Sequence, residues 1–221
     1  MLHPETLRYI KDLKNNNNKP WFEDNRNRYE AAKTDFALFA GKLIEGLSSF
    51  EPTLGNLQVK DCTYRINRDI RFSKDKTPYK SHMGAFFSIR GKKANAAGYY
   101  FHMEPGKSKA GGGFYMPEAA DLSRIRQEID YNLDEWKKIV ESRSFMNCFT
   151  EGVDGIETLS RPPKGYEAGN PAIEYLKMKS FVVTRPISNT DLSGKGLLKE
   201  TLKTFETMQP FIEFLNRSVS E

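Results

Sequence analysis

Apolar residues recur at helical spacing toward both ends of the chain, whereas apolar and polar residues alternate over short runs in its middle. The first pattern predicts amphipathic helices, because an apolar residue at every third or fourth position lines one helix face. The predicted helices cover residues 4–14, 20–48, 118–130, 133–141, 173–178 and 192–217. A turn at Asn15–Asn18 separates the first two, and Pro210 is expected to kink the last.

The alternating runs predict short strands, since successive side chains of a strand point to opposite faces of a sheet. The predicted strands cover residues 57–60, 63–66, 83–90, 98–104, 112–116 and 180–185. A turn at Gly91–Ala97 joins two of them, and such short connections favour an antiparallel β-meander with one covered face. The predicted fold class is α+β, with a meander sheet covered by long N-terminal and C-terminal helices in one domain over residues 1–221.

The predicted strand Gly98–Glu104 has two different faces. Its apolar side chains form the core face and are Tyr99, Phe101 and Met103. The opposite face has a phenol, an imidazole and a carboxylate in succession, from Tyr100, His102 and Glu104. These groups suit general acid–base catalysis, or an ion-pair ladder to Arg65 or Arg68. A single histidine is also commonly a structural residue.

Positive charge is concentrated in one part of the chain. Between Lys60 and Lys93, ten lysines and arginines stand against three aspartates, a local excess of seven, whereas the net charge of the whole chain is +5. The densest part is Thr63–Gly84, TYRINRDIRFSKDKTPYKSHMG, which we call the basic segment. Because so many charges disfavour a continuous strand, we expect a strand end that passes into a loop.

The basic segment has two interpretations on sequence grounds. In one, its guanidinium and ammonium groups form an oxyanion-binding wall; in the other, Asp69 and Asp75 pair with neighbouring cations in a structural network. The candidate ligand-binding residues are Arg65, Arg68, Arg71, Lys76 and Lys80, together with Arg161 of the rigid turn RPPKG. The candidate catalytic residues are Tyr79, His102 and Glu104.

The sequence lacks the residues that several other kinds of functional site require. The chain has three histidines (His3, His82 and His102) and two distant cysteines, so neither a metal site nor a cofactor is expected. It contains no P-loop and no Gly-x-Ser-x-Gly motif. It also lacks a long apolar run and a secretory leader pattern, so we expect no membrane association and a cytoplasmic protein with reduced thiols.

Four blocks of the sequence have a recognisable pattern. They are WFEDNRNRYE at residues 21–30, RINRDIRFSKDKTPYK at 65–80, GYYFHMEP with GGGFYMP at 98–117, and RPPKGYE at 161–167. With these blocks the chain resembles, over almost its whole length, a widespread and mainly bacterial family of uncharacterised conserved proteins, domain of unknown function 2461. The resemblance implies a single α+β domain in a stand-alone cytoplasmic protein. It implies no activity, cofactor or catalytic residue.

Three functional hypotheses follow. The leading one is a binding or catalytic site for an anionic, phosphate-bearing small molecule on the basic segment. The second is nucleic-acid binding along the same segment, with Tyr64, Tyr79 or Tyr100 stacking on bases. The third is a structural or partner-binding domain in which the charged residues form an internal ion-pair network. The sequence by itself leaves the oligomeric state open.

Overall fold

A four-stranded antiparallel sheet forms the centre of the computed structural model, which describes residues 1–89, 91–92 and 95–220. The strands are β1 (Met83–Phe87), β2 (Gly98–Met103), β3 (Lys109–Phe114) and β4 (Phe181–Pro186). Their order in the sheet is β1-β2-β3-β4, so each strand pairs with its neighbour in sequence. The predicted α+β meander is therefore confirmed. Arg90, Lys93 and Ala94, which belong to the predicted strand 83–90 and turn 91–97, lie outside the described residues.

Helices precede the sheet along the chain. They are α1 (Pro4–Asn15), α2 (Lys19–Asp24), α3 (Arg26–Ser48), a short 3-10 helix (Pro52–Leu54) and α4 (Val59–Cys62). The predicted single helix 20–48 is wrong, because the backbone of Asn25 is not helical (φ −107°, ψ 19°). The backbone N–H and the side-chain amide of Asn25 both donate to the carbonyl of Trp21, at 3.0 and 2.9 Å, and together cap the end of α2.

Further helices connect β3 to β4 and follow β4. They are α5 (Ala119–Tyr131), α6 (Leu133–Val140), α7 (Arg143–Cys148), α8 (Ile173–Leu176), α9 (Asn189–Leu192) and α10 (Leu197–Val219). The predicted helix 192–217 is wrong at its start, where Gly194 and Gly196 separate α9 from α10. Pro210 lies inside α10. Across the described part of the chain, every helix is too short or too polar to span a lipid bilayer.

Helices α3 and α10 cover one face of the sheet. The ring of Phe39 on α3 is 4.9 Å from that of Phe101 on β2, and the ring of Phe205 on α10 is 5.3 Å from that of Tyr99. Tyr99, Phe101 and Met103 are all buried, as the alternation along this strand predicts. Each such side chain contributes about 1.5–3 kcal/mol through the apolar surface it removes from water.

The run Gly111–Gly113 lies in β3 and allows α10 to approach the sheet closely. A Cβ atom on Gly112 would touch the carbonyl oxygen of Gly98 and lie 2.7 Å from the sulfur of Met208 on α10. β3 therefore needs glycine where it lies between a neighbouring strand and a helix. It also begins three residues before the predicted strand 112–116, because its ladder with β2 continues to the pair His102–Lys109.

The two strands predicted at 57–60 and 63–66 are wrong. Val59–Cys62 forms α4, where the backbone N–H of Thr63 donates to the carbonyl of Val59 at 3.0 Å, so these groups are satisfied locally rather than in a ladder. Thr63 makes an isolated bridge to Ala85 of β1. Beyond it the basic segment turns back on itself through a bridge between Asn67 and Tyr79. The segment is thus a loop with two isolated bridges that leads into β1 at Met83, and the expected strand end at its start is wrong.

Candidate functional site

Histidine and carboxylate side chains meet on the face of β1 and β2 that points away from α3 and α10. His102 pairs with Gly84 and Met103 pairs with Met83, so the same register continued by one residue sets His82 opposite Glu104. Alternation from the buried Met83 and Met103 places His82, His102 and Glu104 on the other face. The rings of His82 and His102 are 4.5 Å apart. We call His82, Tyr100, His102 and Glu104 the polar-face cluster.

A continuous chain of hydrogen bonds runs through this cluster. The Tyr100 hydroxyl is 3.0 Å from Nδ1 of His102, and Nε2 of His102 is 3.3 Å from Oε2 of Glu104. The other carboxylate oxygen of Glu104 accepts from the ammonium of Lys14 on α1 at 3.2 Å. The side chains of His102 and Glu104 are 12% and 13% exposed. These hydrogen bonds are therefore largely shielded from water, although a small part of each side chain reaches the surface.

Gly84 provides the space for the Tyr100 hydroxyl. It pairs with His102 across the ladder, and a Cβ atom at this position would lie 2.8 Å from the Tyr100 oxygen. A side chain on Gly84 would therefore displace the phenol from His102. Glycine at position 84 therefore leaves the space that the Tyr100 hydroxyl occupies in this series of hydrogen bonds.

The surroundings fix the protonation of the cluster. Burial, together with the nearby His102, Lys80 and Arg68, lowers the pKa of His82 to about 4. Burial also lowers the pKa of His102 and raises that of Tyr100. Both imidazoles are therefore neutral and the phenol is protonated near pH 7.

Glu104 stays ionised and determines the tautomer of His102. Burial acts to raise the pKa of this carboxyl group, but hydrogen bonds from His102 and Lys14 outweigh it and lower the pKa. Because the carboxylate is an acceptor, Nε2–H of His102 donates to it and Nδ1 accepts from the Tyr100 hydroxyl. The arrangement has the elements of a proton relay from a phenol through an imidazole to a carboxylate.

Arg68 is held by oxygen atoms of the basic segment itself. Its guanidinium contacts the carboxylate of Asp75 and the hydroxyl of Thr77, and Nη2 is 3.3 Å from the hydroxyl of Ser73. Asp75 also accepts from the backbone N–H of Thr77 at 2.9 Å. The Thr77 N–H, followed by Arg68, lowers the pKa of Asp75 to about 2. Arg68 thus links the start of the loop to Ser73, Asp75 and Thr77 through hydrogen bonds.

Two more cations of the basic segment are also engaged within it. Arg71 donates to both carboxylate oxygens of Asp69, at 3.0 and 2.7 Å, while its side chain is 76% exposed. Lys76 donates to the backbone carbonyl of Ile70 at 3.0 Å. Contacts of this kind order the loop: the charge of Arg71 is paired with Asp69, and Lys76 uses one of its three N–H groups.

Lys80 and Arg65 are arranged differently. The ammonium of Lys80 donates to the backbone carbonyl of Arg65 at 2.8 Å and lies 5.5 Å from the centre of the Tyr64 ring. Burial, followed by the positive charge of Arg65, lowers the pKa of Lys80. Within the described part of the chain, neither side chain has a carboxylate at ion-pair distance. Lys80 also acts on the pKa of His82, so Lys80 lies near the polar-face cluster.

The remaining candidates lie elsewhere. Tyr79 is buried and its ring stacks on Phe22 of α2 at 4.0 Å, where burial and the nearby Glu23 raise its pKa. Arg161 is exposed in the loop between α7 and α8. Of the three residues predicted to be catalytic, the fold therefore brings His102 and Glu104 together and sets Tyr79 in the core.

Two members of this region were not among the sequence candidates. His82 precedes the core-facing Met83, so the alternation of β1 was sufficient to place it on the polar face. The contact of Lys14 with Glu104 joins residues 90 positions apart, and no local pattern marks it. Tertiary packing of α1 beside the sheet brings Lys14 to the site.

The polar-face cluster also has donor atoms for a metal ion. Within the described residues, His82, His102 and Glu104 each offer a ligand atom, and these atoms all lie within 4.8 Å of one another. Two imidazoles and one carboxylate form a donor set common in metalloproteins. The sequence prediction, which counted histidines and not their positions, did not find this group.

A separate cavity of about 310 Å³ lies between the end of β4 and the start of α10. Arg185 lines it and is 3.0 Å from the hydroxyl of Thr204 and 3.5 Å from the carboxylate of Glu200. Asp191 lines it as well. Its acidic groups balance the arginine, so the cavity attracts an anion less than the Arg65–Lys80 pair does.

The fold and the site define an α+β protein with a meander sheet, one face of which carries a histidine–carboxylate cluster beside a basic loop. Residues 5–214 match the family described as "Conserved hypothetical protein (DUF2461)". The chain belongs to this family, which confirms the resemblance found in the sequence. Neither the curated proteins nor the solved structures gave a significant match.

Proposed function

We propose that the protein binds an anionic, phosphate-bearing small molecule at Arg65 and Lys80, where Lys80 lies near the polar-face cluster. The observation that carries the proposal is that Lys80 lies near the positive charge of Arg65, which contributes to its lowered pKa, while its ammonium donates to the Arg65 backbone carbonyl at 2.8 Å. Two like charges held in proximity repel each other, and a bound anion relieves that repulsion. The lowered pKa of Lys80 reflects this situation, with burial as its larger cause.

The rest of the basic segment supports the pair by ordering the loop. Arg68 and Arg71 have their carboxylate partners within the segment, Asp75 and Asp69. A loop fixed in this way loses less conformational entropy when a ligand binds. The Arg65 guanidinium can contact two phosphate oxygens at once, while Lys80 supplies a point charge from its position over the Tyr64 ring.

A thermal-shift and calorimetric titration tests the proposal. Inorganic phosphate, a nucleoside monophosphate, a sugar phosphate and a single-stranded oligonucleotide are added in turn to the native protein and to Arg65→Gln and Lys80→Gln. We expect one of the small phosphates to raise the melting temperature of the native protein, because a ligand that binds the folded state stabilises it. Each substitution should weaken this binding by about 10- to 100-fold, the effect of losing one charged hydrogen bond.

Arg161→Gln is the matched control, because it removes the same charge from an exposed loop on another part of the chain. We expect it to bind the small phosphate as the native protein does. Equal weakening in all three variants would show a net-charge effect and contradict a site at Arg65 and Lys80. If the oligonucleotide binds and the small phosphates do not, with affinity falling steeply as salt rises, the nucleic-acid hypothesis replaces this one.

We also propose a cytoplasmic location for this activity. Cys62 and Cys148 are both free thiols, and Cys62 is buried. Unpaired cysteines are typical of reducing compartments.

A further inference from the structure

We propose that His82, His102 and Glu104 form a binding site for a first-row transition metal ion such as Zn²⁺. The three side chains come from two adjacent strand ends of one sheet, and their donor atoms lie within 4.8 Å of one another. The proposal is independent of phosphate binding, since it uses neither Arg65 nor Lys80.

The separations in the cluster suit a metal. Two donors bound at about 2.1 Å in tetrahedral geometry lie about 3.4 Å from each other. Nε2 of His102 and Oε2 of Glu104 are 3.3 Å apart, so this pair already has the required spacing. The ring of His82 is 4.5 Å from that of His102, and its donor nitrogen lies within 4.8 Å of the other two donor atoms.

The outer contacts of the ligands also fit. Metal-binding histidines characteristically use their second ring nitrogen in a hydrogen bond that fixes the ring. For His102 that partner is the Tyr100 hydroxyl, 3.0 Å from Nδ1, whose oxygen accepts a hydrogen bond from Nδ1–H when Nε2 binds the metal. Lys14 holds Oε1 of Glu104 at 3.2 Å, so Oε2, which faces Nε2 of His102, is the oxygen that would bind the metal. Within the described residues, the ring nitrogens of His82 have no hydrogen-bond partner.

The donor atoms of the cluster select the kind of metal. Glu104 is the one carboxylate among the three ligands, and the other two are imidazoles, from His82 and His102. Mg²⁺ and Ca²⁺ depend on several oxygen ligands, which this set does not provide. Imidazole nitrogens form strong bonds with Zn²⁺ and its neighbours in the first transition row. Three protein ligands leave a position open for water or for an anion.

Zinc binding is measured by competition with a fluorescent zinc indicator and by calorimetry, on protein freed of metal with a chelator and kept in phosphate-free buffer. We expect one equivalent of Zn²⁺ to bind at micromolar concentration or tighter, and millimolar Mg²⁺ not to displace it. His82→Ala and Glu104→Gln should each weaken the affinity at least tenfold. Tyr100→Phe, which removes an outer contact, should weaken it by about 10-fold.

His3→Asn is the matched control, because His3 is the remaining histidine and caps α1, a role that asparagine also fills. We expect it to bind zinc as the native protein does. Melting curves recorded with chelator show whether each variant is folded, and only folded variants are compared. Absence of zinc binding by the native protein would overturn the proposal. So would binding that persists in both His82→Ala and Glu104→Gln, or that is lost in Cys148→Ser.

Discussion

Arg68 and Asp75 show how a single charged residue can have a structural rather than a binding role. Both belong to the densest charge run of the sequence, and from composition alone Arg68 is as good a ligand contact as Lys80. In the folded chain its guanidinium contacts Asp75, Thr77 and Ser73, whereas Lys80 contacts a backbone carbonyl. The difference between the two is set by short-range geometry in the loop, which residue type does not reveal.

The carboxyl group of Asp75 provides a pH prediction at this scale. We expect it to titrate at about 2, below its ordinary value of 3.8, because of the Thr77 N–H and then Arg68. Since the folded-state pKa is lower than the unfolded one, its contribution to stability is complete above pH 3.8 and is lost as the pH falls toward 2. Carbon-13 NMR of the side-chain carboxyl carbons against pH measures this titration.

In Arg68→Gln, the pKa of Asp75 should rise part of the way toward its ordinary value, because the Thr77 N–H remains. Lys74→Gln is the control: it removes an adjacent exposed charge and leaves the contacts of Asp75 intact. An Asp75 pKa that is the same in the native protein and in Arg68→Gln would contradict the assigned contact.

At the scale of elements, the close packing of β3 against α10 depends on Gly112. We expect Gly112→Ala to lower the free energy of unfolding by about 1–3 kcal/mol or more, the usual cost of overpacking. The added methyl group would meet the backbone of Gly98 as well as the sulfur of Met208, and backbone yields less readily than a flexible side chain. Urea unfolding followed by circular dichroism measures the change.

Gly169→Ala is the matched control for Gly112→Ala. Gly169 is exposed, and a methyl group added there would meet no atom within 4 Å, so the substitution should change stability by less than about 0.5 kcal/mol. Equal stability of the two variants would mean that β3 and α10 are not in close contact at Gly112.

The boundaries of several elements show where sequence patterns were sufficient and where they were not. The alternation in β2 correctly separates the buried Tyr99 and Phe101 from the polar face, because a strand with one covered face imposes that period. The sequence predicts one continuous helix over residues 20–48, because the apolar positions keep helical spacing on both sides of Asn25. At the break, the side-chain amide of Asn25 donates to the carbonyl of Trp21, a contact that periodicity does not detect.

At the scale of the molecule, the two tryptophans lie in different parts of the fold and report on its cooperativity. Trp136 on α6 is fully buried, with its ring 5.1 Å from that of Phe214 on α10, while Trp21 on α2 packs 6.0 Å from Tyr9 on α1. If residues 1–221 form one domain, both regions should unfold in one transition.

We expect the urea midpoints of Trp21→Phe and Trp136→Phe, each followed by the emission of the remaining tryptophan, to agree with the midpoint that circular dichroism gives for the same variant. Agreement in both variants supports a single cooperative unit. A tryptophan transition well separated from the circular-dichroism transition of the same variant would indicate two independently unfolding parts.

The sequence by itself determined the fold class, the family and the covered face of the sheet. These properties follow from repeating patterns: apolar periodicity selects helix or strand, and short connections between strands select an antiparallel meander. It also located the charge, because ten of the chain's lysines and arginines fall between residues 60 and 93.

Only the tertiary structure decided which of these charged side chains form ion pairs or hydrogen bonds, and which residues lie next to them. His82, His102 and Glu104 come together through the register of β1 and β2, and Lys14 reaches Glu104 from a helix 90 residues away in sequence. Tyr79 and Arg161, which match the candidate chemistry by type, lie in the core and on a separate loop. Such contacts depend on the packing of distant segments, and a local pattern of residue types carries no information about them.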